Sequence, residues 1–286
     1  MSKTLNYSVK LLRNFPLMTM GILIVLLFVV AALLAPWISP YPQDTLETHT
    51  KQAHEPPSLE HLFGTDELGR DVFTRIIYGS RISLMAGIIT TVLALLIGVP
   101  IGVIAGGSGG IADEIIMRVT DVFLSFPHLL LAMAISTLLG PNLINAMIAI
   151  AVSGWPWYAR LVRAEAMSVR ERDFVEAAMA MGSSWRRILF RHILPNCLVP
   201  VIIQVSLNIG AVILTLASLS FLGLGAQSPT PEWGLMISSG RRFFLTEWWL
   251  TTFPGIAICI LVLSFNLIGD SLREILDPRT RRGRKT

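Results

Sequence analysis

Asp173 to Asn196 reads DFVEAAMAMGSSWRRILFRHILPN, a basic, alanine-rich interruption in a chain of 286 residues that is 53% hydrophobic and only 15% charged. Arg186, Arg187 and Arg191 have no place at the centre of a bilayer, where an arginine costs about 2.5–3.5 kcal/mol, so this segment belongs outside it. Its spacing predicts two short helices. Asp173 and Glu176 stand three apart, as an N-cap and its N3 partner do, which starts a helix at Phe174. Gly182 supplies the left-handed residue that ends it. The first helix is then about two turns, roughly 12 Å long, with Phe174, Ala177, Ala178 and Met181 along one stripe. Ser183 or Ser184 caps a second helix from Trp185 to His192, and Pro195 marks the turn back toward the membrane. Small alanines and an apolar edge suit docking against a partner protein. The neighbouring arginines suit a membrane-surface helix as well, and the residues alone leave both open.

Around this segment the composition is that of a membrane protein, with mean hydropathy +0.63. A transmembrane helix needs about 20 largely apolar residues. Six runs qualify: Leu17 to Ile38, Ile82 to Ala105, Val119 to Leu139, Leu143 to Leu161, Leu198 to Leu222 and Leu250 to Leu272. The first is too long for a cleavable signal, whose apolar region has about 7–15 residues, and reads as an uncleaved span. Gly140, Pro141 and Asn142 make a tight hairpin of spans three and four. Two outer loops are longer, Ser39 to Arg81 and Gly223 to Trp249. The first is turn-rich to Gly64 and then reads as a surface helix, with Val72, Phe73, Ile76 and Ile77 on one side and Asp71, Arg75 and Tyr78 on the others.

Six spans leave both ends on one side, and basic residues name that side. One face collects Lys3, Lys10 and Arg13, then Arg118, then seven arginines from Arg160 to Arg191, then six basic residues after the last span. The other face holds Lys51, Arg70, Arg75, Arg81, Arg241 and Arg242, a split of 17 to 6. Positive residues concentrate in the cytoplasm, which places both termini and the Asp173–Asn196 segment there. The tail RTRRGRKT is explained as a topological anchor to the lipid bilayer. It has neither the aromatic residues nor the folded reader of a nucleic-acid site.

Few residues carry chemistry of their own. Ser125, His128, Ser136, Gln204, Asn208, Thr215 and Asn266 are the mild polar residues of the spans, suited to helix–helix hydrogen bonds or to lining a path. GGSGG at Gly106 to Gly110 matches a nucleophile elbow in letters only, because a strand must precede that elbow and here a membrane helix does. No lysine follows a glycine, so there is no phosphate loop and energy from nucleotide must come from a partner. His49, His54 and His61 lie among Glu47, Glu55 and Glu60, but in no compact ligand spacing, and Pro56 and Pro57 break any helix that would gather them. The loop therefore reads as polar and solvated, with no metal site.

Glu176, Ala177, Ala178, Gly182 and, after nine intervening residues, His192, Leu194 and Pro195 resemble the EAA loop of permease subunits in binding-protein-dependent ABC importers. His192 stands where that motif has isoleucine. HLFGTDELGRDVFTRIIYGSRISL (61–84), SFLGLGAQSPTPEWGLM (220–236) and FNLIGDSLREILDP (265–278) are similar to the second, C-type permease of the dipeptide, oligopeptide and nickel group. The resemblance implies an all-α polytopic protein with the six-helix type I importer fold. It divides the chain into residues 1–80 (tail, first span, outer loop), a five-helix core 81–272 containing the loop 162–197, and a basic tail 273–286. It implies a heterodimer with a homologous permease, two cytoplasmic ATPase subunits that use ATP and Mg²⁺, and an extracytoplasmic substrate-binding protein, all at a bacterial inner membrane. Asp173, Phe174, Glu176, Ala177, Ala178, Met181 and Gly182 become the ATPase-docking helix of a chain that is not an enzyme and binds no cofactor. Di- and oligopeptides are the expected cargo, with nickel or a nickel chelate as the alternative. An intramembrane hydrolase would need catalytic groups converging at membrane depth, which the sequence does not offer.

Overall fold

Pro16 starts the first long helix because a proline at the first helical position gives up no hydrogen bond. The computed structural model describes residues 15–276. The basic residues Lys3, Lys10 and Arg13 and the tail from Arg279 to Lys285 lie outside them. In chain order the main elements are α1 (Pro16–Leu33), α2 (Val72–Ser108), α3 (Gly110–Leu124), α4 (His128–Leu139), α5 (Leu143–Arg170), α6 (Asp173–Ala180), α7 (Trp185–Ile188), a π-helical turn (Leu189–Ile193), α8 (Leu194–Phe221), α9 (Trp233–Gly240) and α10 (Trp249–Leu276), with single helical turns at Ala35–Ile38, Pro42–Thr45, Thr50–Gln52 and Arg241–Phe243. Among the described residues there is no strand beyond one isolated bridge between Thr65 and Asp71.

Helices α1, α2 and α10 and the continuous rod from Trp185 to Phe221 are each long and apolar enough to cross a membrane, and α3 with α4 forms a fifth, sharply bent segment. α5 is about 42 Å long at 1.5 Å per residue but less apolar, since Asn145, Ser153, Tyr158 and Arg160 lie along it. It can be so because α2, α4 and α8 enclose it. The expected straight third span is corrected by Pro127. The chain bends 87° between α3 and α4, because proline donates no hydrogen bond and drives Phe126 out of helical geometry. With 12 residues α4 rises about 18 Å, short of the hydrocarbon thickness of about 30 Å.

The tightest seam joins α2 to α5. Gly98, Gly102 and Gly106 repeat every four residues along one edge of α2, facing Trp155, Ala159 and Arg163 at the same interval on α5. A Cβ on Gly98 or Gly102 would stand 2.5 Å from the carbonyl oxygen of Trp155 or Ala159. Without a hydrophobic driving force between helices in lipid, such close backbone approach is what holds them together.

The loop after α1 is turn-rich as read and exposed or half-buried from Leu46 to Glu60, but around Asp44, His61, Thr65, Arg70 and Asp71 it is packed as a cap. His61 and Asp71 are both buried and pair at 3.0 Å, while His49 faces Asp44 at 3.3 Å and His54 pairs with Glu247. Asp71 is also the N-cap of α2, accepting from the Thr74 amide at 2.7 Å. The surface helix expected here is the start of α2 itself, which runs unbroken for 37 residues. Arg75, expected on its polar side, is 3% exposed, and its guanidinium donates to the carbonyls of Thr45 and Pro229. Burial raises the Asp44 carboxyl above its ordinary value, opposed by the Asp71 amide that it accepts. Trp249 donates to the Thr65 carbonyl and Phe63 stacks on Phe253 at 4.0 Å, so α10 fastens the cap to the bundle. Asp71→Ala loses a helix cap and leaves His61 Nδ1 unpaired. The expected loss is roughly 2–4 kcal/mol, measurable as faster proteolysis or hydrogen exchange in residues 42–71.

Candidate functional site

At the end of the bundle opposite the cap, α5 stops at Arg170 and the chain reverses through Glu171 and Arg172 into α6. The cap differs from the sequence expectation. Arg172 occupies the N-cap position in extended conformation, Asp173 is already the first helical residue, and no side chain caps the helix. The Arg172 carbonyl instead accepts from the amides of Val175 and Glu176. Asp173 and Glu176 act through their charge, two carboxylates on the positive end of the helix dipole. The far end is as read. Gly182 has φ of 77°, Ser183 N–H reaches the Ala178 carbonyl at 3.0 Å, and Gly182 N–H reaches that of Met179 at 2.9 Å, the paired bonds of a Schellman stop.

The stripe divides between two faces. Phe174, Ala177 and Met181 point outward together, Met181 with 80% of its surface exposed. Ala178, 3% exposed, points inward with Val175, which is fully buried. Val175 joins Val162, Ala166 and Val169 of α5 and Ile188, Leu189 and Ile193 beyond α6 in one apolar cluster. Val175 is a site residue the sequence reading missed; its signal was a β-branched residue three before a small one on the same helical face.

Arg170 is the second omission. Its guanidinium donates to the Ser108 carbonyl at 3.2 Å and lies 5.8 Å from the Trp185 ring centre, tying the ends of α2, α5 and α7 together. Gly107 lets the end of α2 lie against Leu189 and Trp185. The glycine cluster around Ser108 is thus a packed corner between α2 and α3. Pro195 does not turn the chain. α7, the π-helical turn and α8 form one rod, in which Leu194 N–H reaches back to the Leu189 carbonyl, five residues away. The wider turn absorbs the proline without a break. Val175 of α6 therefore packs against both α5 and the start of the 37-residue rod beginning at Trp185.

Residues 98–282 match the sequence family described as binding-protein-dependent transport system inner membrane component. The chain belongs to this family. Residues 9–57 match the N-terminal transmembrane domain of oligopeptide transport permease C. The dipeptide transport system permease protein DppC of Alkalihalophilus pseudofirmus is 47% identical over 94% of this chain and 88% of its own. The probable D,D-dipeptide transport system permease protein DdpC of Escherichia coli is 43% identical over 94% and 90%. Inward-facing structures of the MetNI methionine ABC transporter share the fold, one with a TM-score of 0.56 at 19% identity over 71% of this chain and 97% of that one. The protein is a multi-pass ABC importer permease, a transport subunit that works with other transporter subunits.

In this permease the two faces of α6 separate experimentally. Val175→Ala should destabilise the reversal by roughly 1–3 kcal/mol, seen as faster cleavage between Arg170 and Trp185 in detergent, with no partner present. The same assay should leave Met181→Ala unchanged, because its side chain contributes almost nothing to the fold.

Proposed function

We propose that this permease carries di- and oligopeptides across a bacterial inner membrane, paired with a homologous permease as a heterodimer. Two cytoplasmic ATPase subunits use ATP and Mg²⁺, this chain holds neither, and an extracytoplasmic binding protein delivers the peptide. Both termini and α6 lie in the cytoplasm. Asp173, Phe174, Glu176, Ala177, Met181 and Gly182 form the docking element, with Ala178 as its inward support.

The observation that carries this reading is the mounting of α6. A short helix with an exposed apolar edge, Phe174 and Met181, sits on a cluster that includes α5 and the Trp185–Phe221 rod. When ATPase subunits close on ATP, each drags the helix seated in it, and the attached rods switch the path between inward and outward access. Peptide as cargo is supported by relatives named for dipeptides, D,D-dipeptides and di- and tripeptides, all molecules built on the amide bond. The nickel alternative loses its only hint, because His49, His54 and His61 each face a different carboxylate.

Reconstitution with the partner subunits and binding protein in proteoliposomes tests the proposal. ATP-dependent accumulation of a radiolabelled dipeptide is expected. Accumulation of ⁶³Ni²⁺ without dipeptide uptake would overturn it.

A further inference from the structure

The arginines at the α6 end of the bundle fall into two sets. Arg160 pairs with Asp121, Arg163 holds Asp113 through two nitrogens, and Arg170 donates to the Ser108 carbonyl at 3.2 Å. Arg186, Arg187 and Arg191 are different. All three are exposed, and among the described residues their side chains make no ion pair and no hydrogen bond. Arg187 and Arg191 stand four residues apart at the start of the Trp185–Phe221 rod, where like charges on neighbouring turns repel. Positive charge is left over here once the fold is complete.

The exposed strip that carries these charges continues into the membrane. Phe190, 65% exposed, lies between the two arginines in sequence, and the next exposed large apolar residues along the rod are Leu198, Val199 and Ile202. Hydrocarbon about 30 Å thick takes up about 20 helical residues, and the rod has 37, so part of it stands outside. Arg191 precedes Leu198 by seven residues, roughly 10 Å of helix. With Leu198 at the hydrocarbon edge, the guanidinium groups are at the level of the lipid headgroups, their apolar stems lying along the rod.

The chemistry of the occupant follows from this change of character along one strip. A carboxylate-rich protein surface answers the charge but not the apolar residues that follow it. A zwitterionic lipid answers those residues but brings no net charge. An anionic phospholipid does both, and a guanidinium presents paired N–H groups that match phosphate oxygens. We propose that Arg187 and Arg191 hold the phosphate of an anionic phospholipid whose acyl chain lies along Phe190 and Leu198. With the outward face of α6 given to the ATPase, docking and membrane contact then belong to different halves of the Asp173–Asn196 segment. The lipid site is independent of what the permease carries.

The complete transporter, with its partner subunits, is placed in nanodiscs of phosphatidylcholine with increasing phosphatidylglycerol, and retained phosphatidylglycerol is counted by native mass spectrometry. Wild type is compared with the double variant Arg187→Gln, Arg191→Gln and with a control that loses the same charge elsewhere, Arg118→Gln, Arg242→Gln, both exposed residues. Arg187 and Arg191 make no contact that the fold uses, so the variant should purify at wild-type yield. Each arginine near an anionic surface contributes about fivefold, so apparent affinity for phosphatidylglycerol should fall about 25-fold in the double variant and stay near wild type in the control. Phosphatidylglycerol with a diazirine in its acyl chain should label the segment from Phe190 to Ile202 in wild type and lose that labelling in the double variant. Unchanged affinity and labelling overturn the site, as does an equal fall in the control, which would reduce the effect to net charge. Loss of the ATPase subunits from the double variant with phosphatidylglycerol affinity intact also overturns it, giving the arginines to the protein partner. Neither readout involves transport, so failure here leaves the peptide-import reading untouched.

Discussion

Gly102→Ala should cost the permease its α2–α5 seam, whereas Gly255→Ala on α10 should be harmless. The added methyl on Gly102 falls 2.5 Å from the Ala159 carbonyl oxygen and 2.8 Å from Val162 Cβ. Neither can swing aside, one being backbone and the other a branch point. Either α2 moves off α5 or the carbonyl tilts out of its helix, and overpacking of this kind costs about 1–3 kcal/mol. Gly255 has nothing within 4 Å of the corresponding position, and there alanine gains up to about 1 kcal/mol of helix propensity. Thermal unfolding of the purified protein in detergent should show a lowered midpoint for the first variant and an equal or raised one for the second. Equal midpoints would mean that the seam does not hold the bundle.

Met181→Glu should abolish transport without disturbing the fold. Met181 is 80% exposed on the outward face of α6, beside Ala177 and one helical face with Phe174. Burying an added carboxylate in a docking cleft with no partner removes what a central interface residue supplies, about 2–4 kcal/mol, or roughly 30- to 1,000-fold in association. ATPase subunits should no longer co-purify, uptake should fall by a similar factor, and membrane insertion and detergent stability should match wild type. Gly182→Val is the milder companion. Open space surrounds the site, so the penalty is the strain of holding φ at 77°, about 1–2 kcal/mol per residue.

Which parts were legible in the sequence follows from the range over which each signal acts. Gly182 was readable because a left-handed stop is a one-residue property. The apolar runs were readable because hydrophobicity integrates over some 20 residues. The bend at Pro127 needed the knowledge that no neighbouring helix straightens α3 onto α4. Pro195 misled in the opposite direction, since a π-turn kept the rod continuous through it. Arg75 looked like a solvated charge because its partners, the carbonyls of Thr45 and Pro229, lie 30 and 154 residues away. Ala178 looked like part of a docking stripe because small size suits a partner surface and a tight internal contact alike, and only the position of Val175 beside it separates the two. A cavity of about 310 Å³ between α2, α4, α5 and α8 follows the same rule: His128, Gln204, Asn208 and Thr215 were visible as polar residues of spans, but their convergence with Tyr158 is a property of four helices together.

The central claim is that α6 is the lever through which foreign ATPase subunits move this bundle. Its most direct test is cysteine crosslinking in the complete transporter, with a single cysteine at Met181 and single cysteines along the cleft of the ATPase subunit, on a background lacking Cys197 and Cys259. Met181→Cys should form a disulfide with the ATPase and stop ATP-driven uptake reversibly, with activity restored by reductant. Labelling of Met181→Cys by a lipid-soluble maleimide, with no crosslink to the ATPase in any nucleotide state, would contradict the account.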